Sequence, residues 1–164
     1  MRYSKITKFE IVNGKGIGVS LFTQGCPYHC PGCFNRSSWD PEGGKLWTPG
    51  AESQFLKLIS RKYITRVSFL GGEPLMDINL PDLLRLVKKI RGDFPKKKIW
   101  IYSGNTYENM TKDQLEVLSY ADYLVDGPFI LAKKDITLPF RGSYNQRIID
   151  IRATMAKGEI VLYE

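Results

Sequence analysis

Apolar and polar positions change period several times along the chain, and each change marks an element. Ile6, Phe9, Ile11 and Val12 precede Asn13-Gly14, and Ile17, Val19, Leu21 and Thr23 follow in fair alternation. Asn-Gly is a favoured tight-turn dipeptide, so this stretch predicts a β-hairpin whose second strand runs to about Thr23. Gly14-Lys15-Gly16-Ile17-Gly18 has the glycines of a nucleotide loop. It lacks the following helix and the lysine-serine ending of one, so it reads as the hairpin turn.

Thr48-Pro49 predicts a helix start, with Thr48 as N-cap and Pro49 in the first turn; Phe55, Leu56, Ile59 and Tyr63 give its apolar face. Arg66 to Leu70 is a short apolar run, as expected for a strand covered on both faces. A second helix is predicted from about Pro81 to Arg91, with Leu83, Leu84, Val87 and Ile90 on one side. Ile99 to Tyr102 reads as the next strand. Thr111-Lys112-Asp113-Gln114 matches a capping box and opens a short helix. Tyr123 to Val125 is a brief strand, Phe129 to Asn145 lacks a period and reads as a long loop, and Ile148–Ile151 with Glu159–Tyr163 suggests a final strand pair.

Strands alternating with helices predict an α/β fold with a parallel sheet, preceded by the N-terminal hairpin. The 164 residues suit a single domain, 1–164. A closed eight-unit barrel takes about 250 residues, so roughly five or six units are expected here, forming an incomplete, open β/α barrel. Sites in such folds form at the C-terminal ends of strands. The cysteine loop, Gly71-Gly72-Glu73, Ser103-Gly104-Asn105 and Asp126-Gly127 all fall there.

Composition narrows the chemistry. Hydrophobic residues are 43% and charged residues 25%, the balance of a soluble globular protein. No apolar run approaches the roughly 20 residues of a membrane-spanning helix, no secretory signal is visible, and a cytoplasmic location is expected. Lys plus Arg is 24 against 17 for Asp plus Glu, a net charge of +7 that suits either acidic partners or plain solubility. The Lys88, Lys89, Arg91 and Lys96–Lys98 cluster reads as a solvated face, with docking or nucleic-acid contact as the lesser alternative. The single histidine, His29, excludes sites that need two.

All three cysteines, Cys26, Cys30 and Cys33, lie in one loop with spacing C-x3-C-x2-C. An odd set in one short loop is no disulfide framework. Cubane iron–sulfur clusters are held by thiolates, normally four; three would leave one iron open to a substrate or cofactor. A structural zinc site using His29 is the alternative, disfavoured because His29 and Cys30 are adjacent and hard to use together. A zinc-bearing nucleic-acid-binding module would also need basic residues interleaved with stacking aromatics, which the sequence does not show clearly.

The C-x3-C-x2-C loop after an early strand resembles the radical S-adenosylmethionine enzymes. Cys30-Pro31-Gly32-Cys33-Phe34-Asn35 is closest to the group that activates anaerobic ribonucleoside-triphosphate reductases. Many other members carry an aromatic residue where this chain has Gly32. Leu70-Gly71-Gly72-Glu73-Pro74-Leu75 is shared by many such enzymes. Leu124–Phe129, Phe140–Ser143 and Asn145–Asp150 are similar to the activating group in particular.

The resemblance implies a 4Fe–4S cluster on Cys26, Cys30 and Cys33, with S-adenosyl-L-methionine on its open iron. An external one-electron donor would drive cleavage to methionine and a 5′-deoxyadenosyl radical. That radical would take hydrogen from a glycine of the partner reductase. Gly71, Gly72 and Glu73 would hold the methionine amino group, and the backbone of Gly32, Cys33 and Phe34 would lie near the adenine. Ser103 and Asp126 are candidates for cofactor binding by position alone. Arg141 to Asp150 would be part of the surface facing the reductase or its cofactor. Activation of another glycyl-radical enzyme, or radical chemistry on a small molecule, are the related alternatives; the short chain favours a protein substrate.

Overall fold

The computed structural model describes residues 1–163. Seven strands form one sheet in the order β3-β1-β2-β4-β5-β6-β7. They are β1 (Arg2–Glu10), β2 (Gly18–Thr23), β3 (Lys45–Leu46), β4 (Arg66–Gly71), β5 (Lys98–Tyr102), β6 (Tyr123–Asp126) and β7 (Arg147–Asp150). Four helices accompany them: α1 (Pro49–Ile59), α2 (Leu80–Asp93), α3 (Lys112–Leu118) and α4 (Ile151–Lys157). The central strands β2, β4, β5 and β6 are parallel; β1, β3 and β7 pair antiparallel. Among the described residues β3 and β7 remain the two edges, so the sheet is open.

Three crossovers link the four parallel strands, fewer than the five or six units expected. The reason lies after β6. Residues 127–146 contain a short 3-10 turn at Leu131–Lys133 and one isolated bridge, Lys134 to Ser143, but no crossover helix, and β7 returns antiparallel beside β6. A parallel neighbour would have required a crossover of a dozen or more residues, usually a helix. The expected final strand pair is reduced to a single bridge between Ile149 and Leu162. Ile151 instead opens α4, whose N-cap Asp150 accepts a hydrogen bond from the Ala153 amide and whose C-cap Gly158 is left-handed.

The N-terminal hairpin exists, but Asn13-Gly14 is not a two-residue turn. Strand β1 stops at Glu10 and β2 starts at Gly18, leaving a seven-residue connection at 11–17. Arg66 explains it. This fully buried arginine pairs with Glu10 at 2.7 Å and donates to the carbonyls of Asn13 and Glu10 at 2.9 and 3.1 Å. Gly14 sits so close that a Cβ there would lie 2.6 Å from the Arg66 side chain and 2.7 Å from the Trp100 ring.

The two sheet faces differ because side chains alternate along each strand. Val19, Leu21, Val67, Phe69, Ile99, Ile101, Leu124 and Ile149 are fully buried in the helix-covered core. They pack with Phe55 and Ile59 of α1, Leu83, Leu86, Val87 and Ile90 of α2, and Val117 and Leu118 of α3. Burying such a side chain stabilises by about 1.5–3 kcal/mol before chain entropy is counted. Helix α1 has the expected cap, Thr48 accepting from the Ala51 amide, but ends at Ile59, leaving Tyr63 outside it and exposed. The opposite face carries Ser20, Phe22, Ser68, Leu70, Trp100, Tyr102 and Val125, and coil segments cover it. The site lies on this second face.

Candidate functional site

The cysteine loop begins where β2 ends. Its base is closed by two backbone bonds, Gly25 N–H to the Ser38 carbonyl at 2.8 Å and Cys26 N–H to the Trp39 carbonyl at 3.1 Å. Inside it, Cys33 N–H donates to the Cys30 carbonyl at 3.1 Å, and Gly32 and His29 adopt positive φ. The turn that results leaves each of the three cysteines unpaired and half-buried. Amide N–H groups approach the sulfurs: Asn35 N–H donates to Cys33 Sγ at 3.3 Å, and those of Tyr28 and His29 reach Cys26. Burial nonetheless holds the Cys26 thiol above its usual range.

Cys26, Cys30 and Cys33 all line one cavity of about 680 Å³, within the range of small-molecule sites. The donor chemistry fits an iron–sulfur cluster. Its irons stand apart, so each thiolate meets a different corner and the three thiols need not converge. A single zinc ion needs convergence. Among the described residues no three His, Cys, Asp or Glu side chains gather tightly enough to hold one ion. The His29 ring is stacked on Trp39, with centroids 4.4 Å apart and planes 7° from parallel.

The second wall is the turn after β4. Gly71, Gly72 and Glu73 line the cavity, but the glycines are required first by the chain itself. A Cβ on Gly72 would lie 2.3 Å from the Gly25 carbonyl oxygen and 2.9 Å from that of Ser38. This close approach locks the turn to the cysteine loop, helped by Gly72 N–H to Thr23 O and Glu73 N–H to Gly25 O, both 2.8 Å. Glu73 is 3% exposed. Its carboxylate accepts from the Gly104 amide at 2.8 Å and the Leu75 amide at 3.0 Å, joining the ends of β4 and β5. Burial pushes its pKa up to about 7, against the pull of those amides and the Ser103 hydroxyl.

Two supports of this turn escaped the sequence reading. Asn79 donates to the Glu73 carbonyl at 3.0 Å, and Gln114 donates to the Leu75 carbonyl at 2.9 Å. Gln114 also completes the predicted capping box with Thr111, so its amide serves the helix and the site together. Tyr28 was missed as well. It lines the cavity between two cysteines, lies against Gly104, and its phenol is pushed up to about 12 by burial and by nearby Glu73 and cysteine charge. An aromatic inside the cysteine loop was the available signal.

Ser103, Cys33 and Phe34 also line the cavity. The exposed Phe34 ring stands 5.4 Å from Phe129. Gly32 is not among the lining residues; its Cα faces Leu131. Asp126 is also outside the lining, though its neighbour Gly127 is within it. The buried Asp126 carboxylate is occupied by Arg147, at 2.9 Å through Nε, and by the Tyr107 amide at 2.8 Å. Arg147 in turn holds Glu108 through two bonds of 2.9 and 2.8 Å. From Arg141 to Asp150, then, Arg147 is committed to the scaffold, while Arg141, Gly142 and Gln146 reach the cavity.

The basic cluster is largely neutralised within the chain. Lys88 pairs with Glu116, Lys89 with Asp93, and Arg91 and Lys98 with Asp122. Lys97 donates to the Arg61 and Ile64 carbonyls. No described helix is long and apolar enough to cross a membrane.

With that geometry in place, comparison with known proteins is decisive. A family model described as a 4Fe-4S single cluster domain matches residues 12–149. The anaerobic ribonucleoside-triphosphate reductase-activating protein of Escherichia coli (strain K12) is 38% identical over 154 residues, covering 93% of this chain and 100% of its own. The chain belongs to the anaerobic ribonucleoside-triphosphate reductase-activating protein family. The similarity extends to the proteins of that name from Enterobacteria phage T4, 37% identical over 90% of this chain and 93% of theirs, and from Vibrio cholerae, 36% identical over 90% and 97%. In this chain the cysteine loop and the Gly71–Glu73 turn fall within the matched cluster domain.

Proposed function

We propose that the chain, acting as one domain in the cytoplasm, uses a 4Fe–4S cluster and S-adenosyl-L-methionine to generate a glycyl radical on an anaerobic ribonucleoside-triphosphate reductase. The observation that carries this reading is three unpaired, half-buried cysteines of one loop lining the same cavity as the buried Glu73 turn. The open sheet, with coil rather than helices over its second face, is read as the incomplete barrel of the radical S-adenosylmethionine type. When bound, the cluster supplies one electron, taken from an external donor, for reductive cleavage of the sulfonium.

The chain's own part is binding, orientation and exclusion of water. Cys26, Cys30 and Cys33 would hold the cluster as thiolates, with the amides of Tyr28 and His29 stabilising charge on Cys26 and that of Asn35 on Cys33. With three thiolates and no fourth cysteine in the sequence, one iron is left for the cofactor. Glu73 offers a carboxylate for an ammonium group, and bringing a cation beside it favours its charged form. Gly71, Gly72 and Ser103 shape that wall, and Cys33 and Phe34 line the side of the cavity where the adenine would lie, with Gly32 behind them against Leu131.

Anaerobically purified protein should carry about four irons, lose its visible absorbance in air, and release 5′-deoxyadenosine when reduced with S-adenosylmethionine. With the reductase added, an organic radical signal should appear by electron paramagnetic resonance. Cys26→Ala, Cys30→Ala and Cys33→Ala should each abolish cleavage. A colourless protein holding one zinc, or cleavage retained in any of the three variants, would refute the reading.

A further inference from the structure

Arg141 is the one cation among the described residues that line the cavity. Most of the chain's other arginines have carboxylate partners: Arg66 with Glu10, Arg85 with Glu52, Arg91 and Arg152 with Asp122, Arg147 with Asp126. No described carboxylate stands within salt-bridge distance of Arg141. One of its terminal nitrogens donates to the Gln146 carbonyl at 2.9 Å, while Nε is buried without a partner. An unpaired buried donor on a charged group is costly, and in a native fold it calls for an explanation.

The segment carrying Arg141 is fixed in place. Gln146 accepts from the Gly142 and Ser143 amides at 2.9 and 3.2 Å and donates to the Gly127 carbonyl at 3.0 Å. The Tyr102 hydroxyl donates to the Phe140 carbonyl at 2.9 Å. Thus the guanidinium is anchored at one terminal nitrogen, and the edge formed by Nε and the other terminal nitrogen is without a partner. That edge has the fork geometry that receives a carboxylate through two parallel bonds. The lining also holds Glu73 and Asp135, so a single guanidinium fork there suits the one charge of a carboxylate better than a phosphate dianion.

We propose that Arg141 is an anion-binding residue that receives a carboxylate in this cavity. The carboxylate has two possible sources, and naming them rests on the reading above: the amino-acid end of S-adenosylmethionine, or an acidic side chain of the reductase segment that enters.

The test uses the anaerobic, iron-loaded protein as wild type, Arg141→Gln and Arg141→Lys, with thermal melts to verify folding. Calorimetric titration with S-adenosylmethionine and with its decarboxylated analogue forms one arm, and reductase binding at two salt concentrations the other. If the cofactor supplies the carboxylate, Arg141→Gln weakens S-adenosylmethionine at least tenfold and leaves the decarboxylated analogue unchanged. If the reductase supplies it, both sulfonium ligands bind as to wild type, while reductase affinity falls at least tenfold and depends less on salt. Arg141→Lys should restore part of the loss in either case. Wild-type affinities throughout for a folded Arg141→Gln overturn the role of Arg141 and leave the proposed function standing. An iron-loaded wild type that binds neither S-adenosylmethionine nor the reductase overturns both.

Discussion

Gly72 is the residue at which scaffold and site meet most tightly. A methyl group there would press on two backbone oxygens, those of Gly25 and Ser38, and backbone cannot move aside as a flexible side chain does. Overpacking of this kind costs about 1–3 kcal/mol, so Gly72→Ala should lower the thermal midpoint by several degrees, on the order of 2–4 °C per kcal/mol for a chain of this size. Gly92, in α2, is the control. A Cβ there meets nothing within 4 Å, so Gly92→Ala should be neutral or stabilising by up to about 1 kcal/mol in the same melts. The sequence made Gly71-Gly72-Glu73 legible as a site turn. It did not reveal that the glycines answer first to the cysteine loop, because that contact joins residues 47 positions apart.

At the scale of elements, one carboxylate ties four together. Asp122, just before β6, accepts from the Ile99 amide of β5 at 2.9 Å, from Arg91 of α2 at 2.7 Å, and from Arg152 of α4 at 2.8 Å. Burial pushes its carboxyl up, but the Ile99 amide and the Arg91 guanidinium outweigh burial and hold it below the usual aspartate range. A lowered folded pKa gives stability that is present above the unfolded value, about 3.9, and lost as pH falls through the folded one. Asp122→Asn should therefore destabilise at pH 7, by about 1.5–3 kcal/mol, the range of a hydrogen bond to a charged group, since Arg91 is the one well-shielded partner cation. In urea titrations the gap between wild type and variant should narrow from pH 4 towards pH 2. A gap constant across that range would show that charge at Asp122 contributes nothing. The elements it ties were legible to different degrees. Helix α3 announced itself through Thr111 and Gln114, and β4 and β5 through apolar runs. Helix α4 has only seven residues, and its signals, Asp150 before and Gly158 after, were masked by an apolar run that also suits a strand. Strand β3 has two residues and exists only because β1 offers an edge to pair with.

The molecule as a whole has one sheet with two unlike faces, and this asymmetry was the least legible feature. The alternation of the hairpin and the mostly apolar Arg66–Leu70 run made the strands legible, but not that one face of the sheet would be left to coil and to a buried ion pair. Arg66 and Glu10 hold the 11–17 connection over that face, where Ile11, Val12 and Asn13 line the cavity beside the cysteines. Glu10 accepts from the amides of Val12 and Asn13 at 2.6 and 2.9 Å, and Arg66 returns bonds to the Glu10 and Asn13 carbonyls. Removing one partner strands the other in the interior, so Glu10→Gln or Arg66→Met alone should cost about 3–5 kcal/mol. Removing both charges with side chains of similar size, Glu10→Leu with Arg66→Met, should recover most of that loss, because neither ion then needs solvation. What the double variant cannot restore is the set of bonds to residues 10–13. Amide hydrogen exchange should therefore quicken at residues 11–17 in the double variant while β4 and β5 keep wild-type protection. Should the double variant be as unstable as the worse single variant, the pair stabilises the whole sheet. If exchange at 11–17 stays slow in a recovered double variant, packing of Gly14 on Trp100 holds that wall of the cavity without the ions.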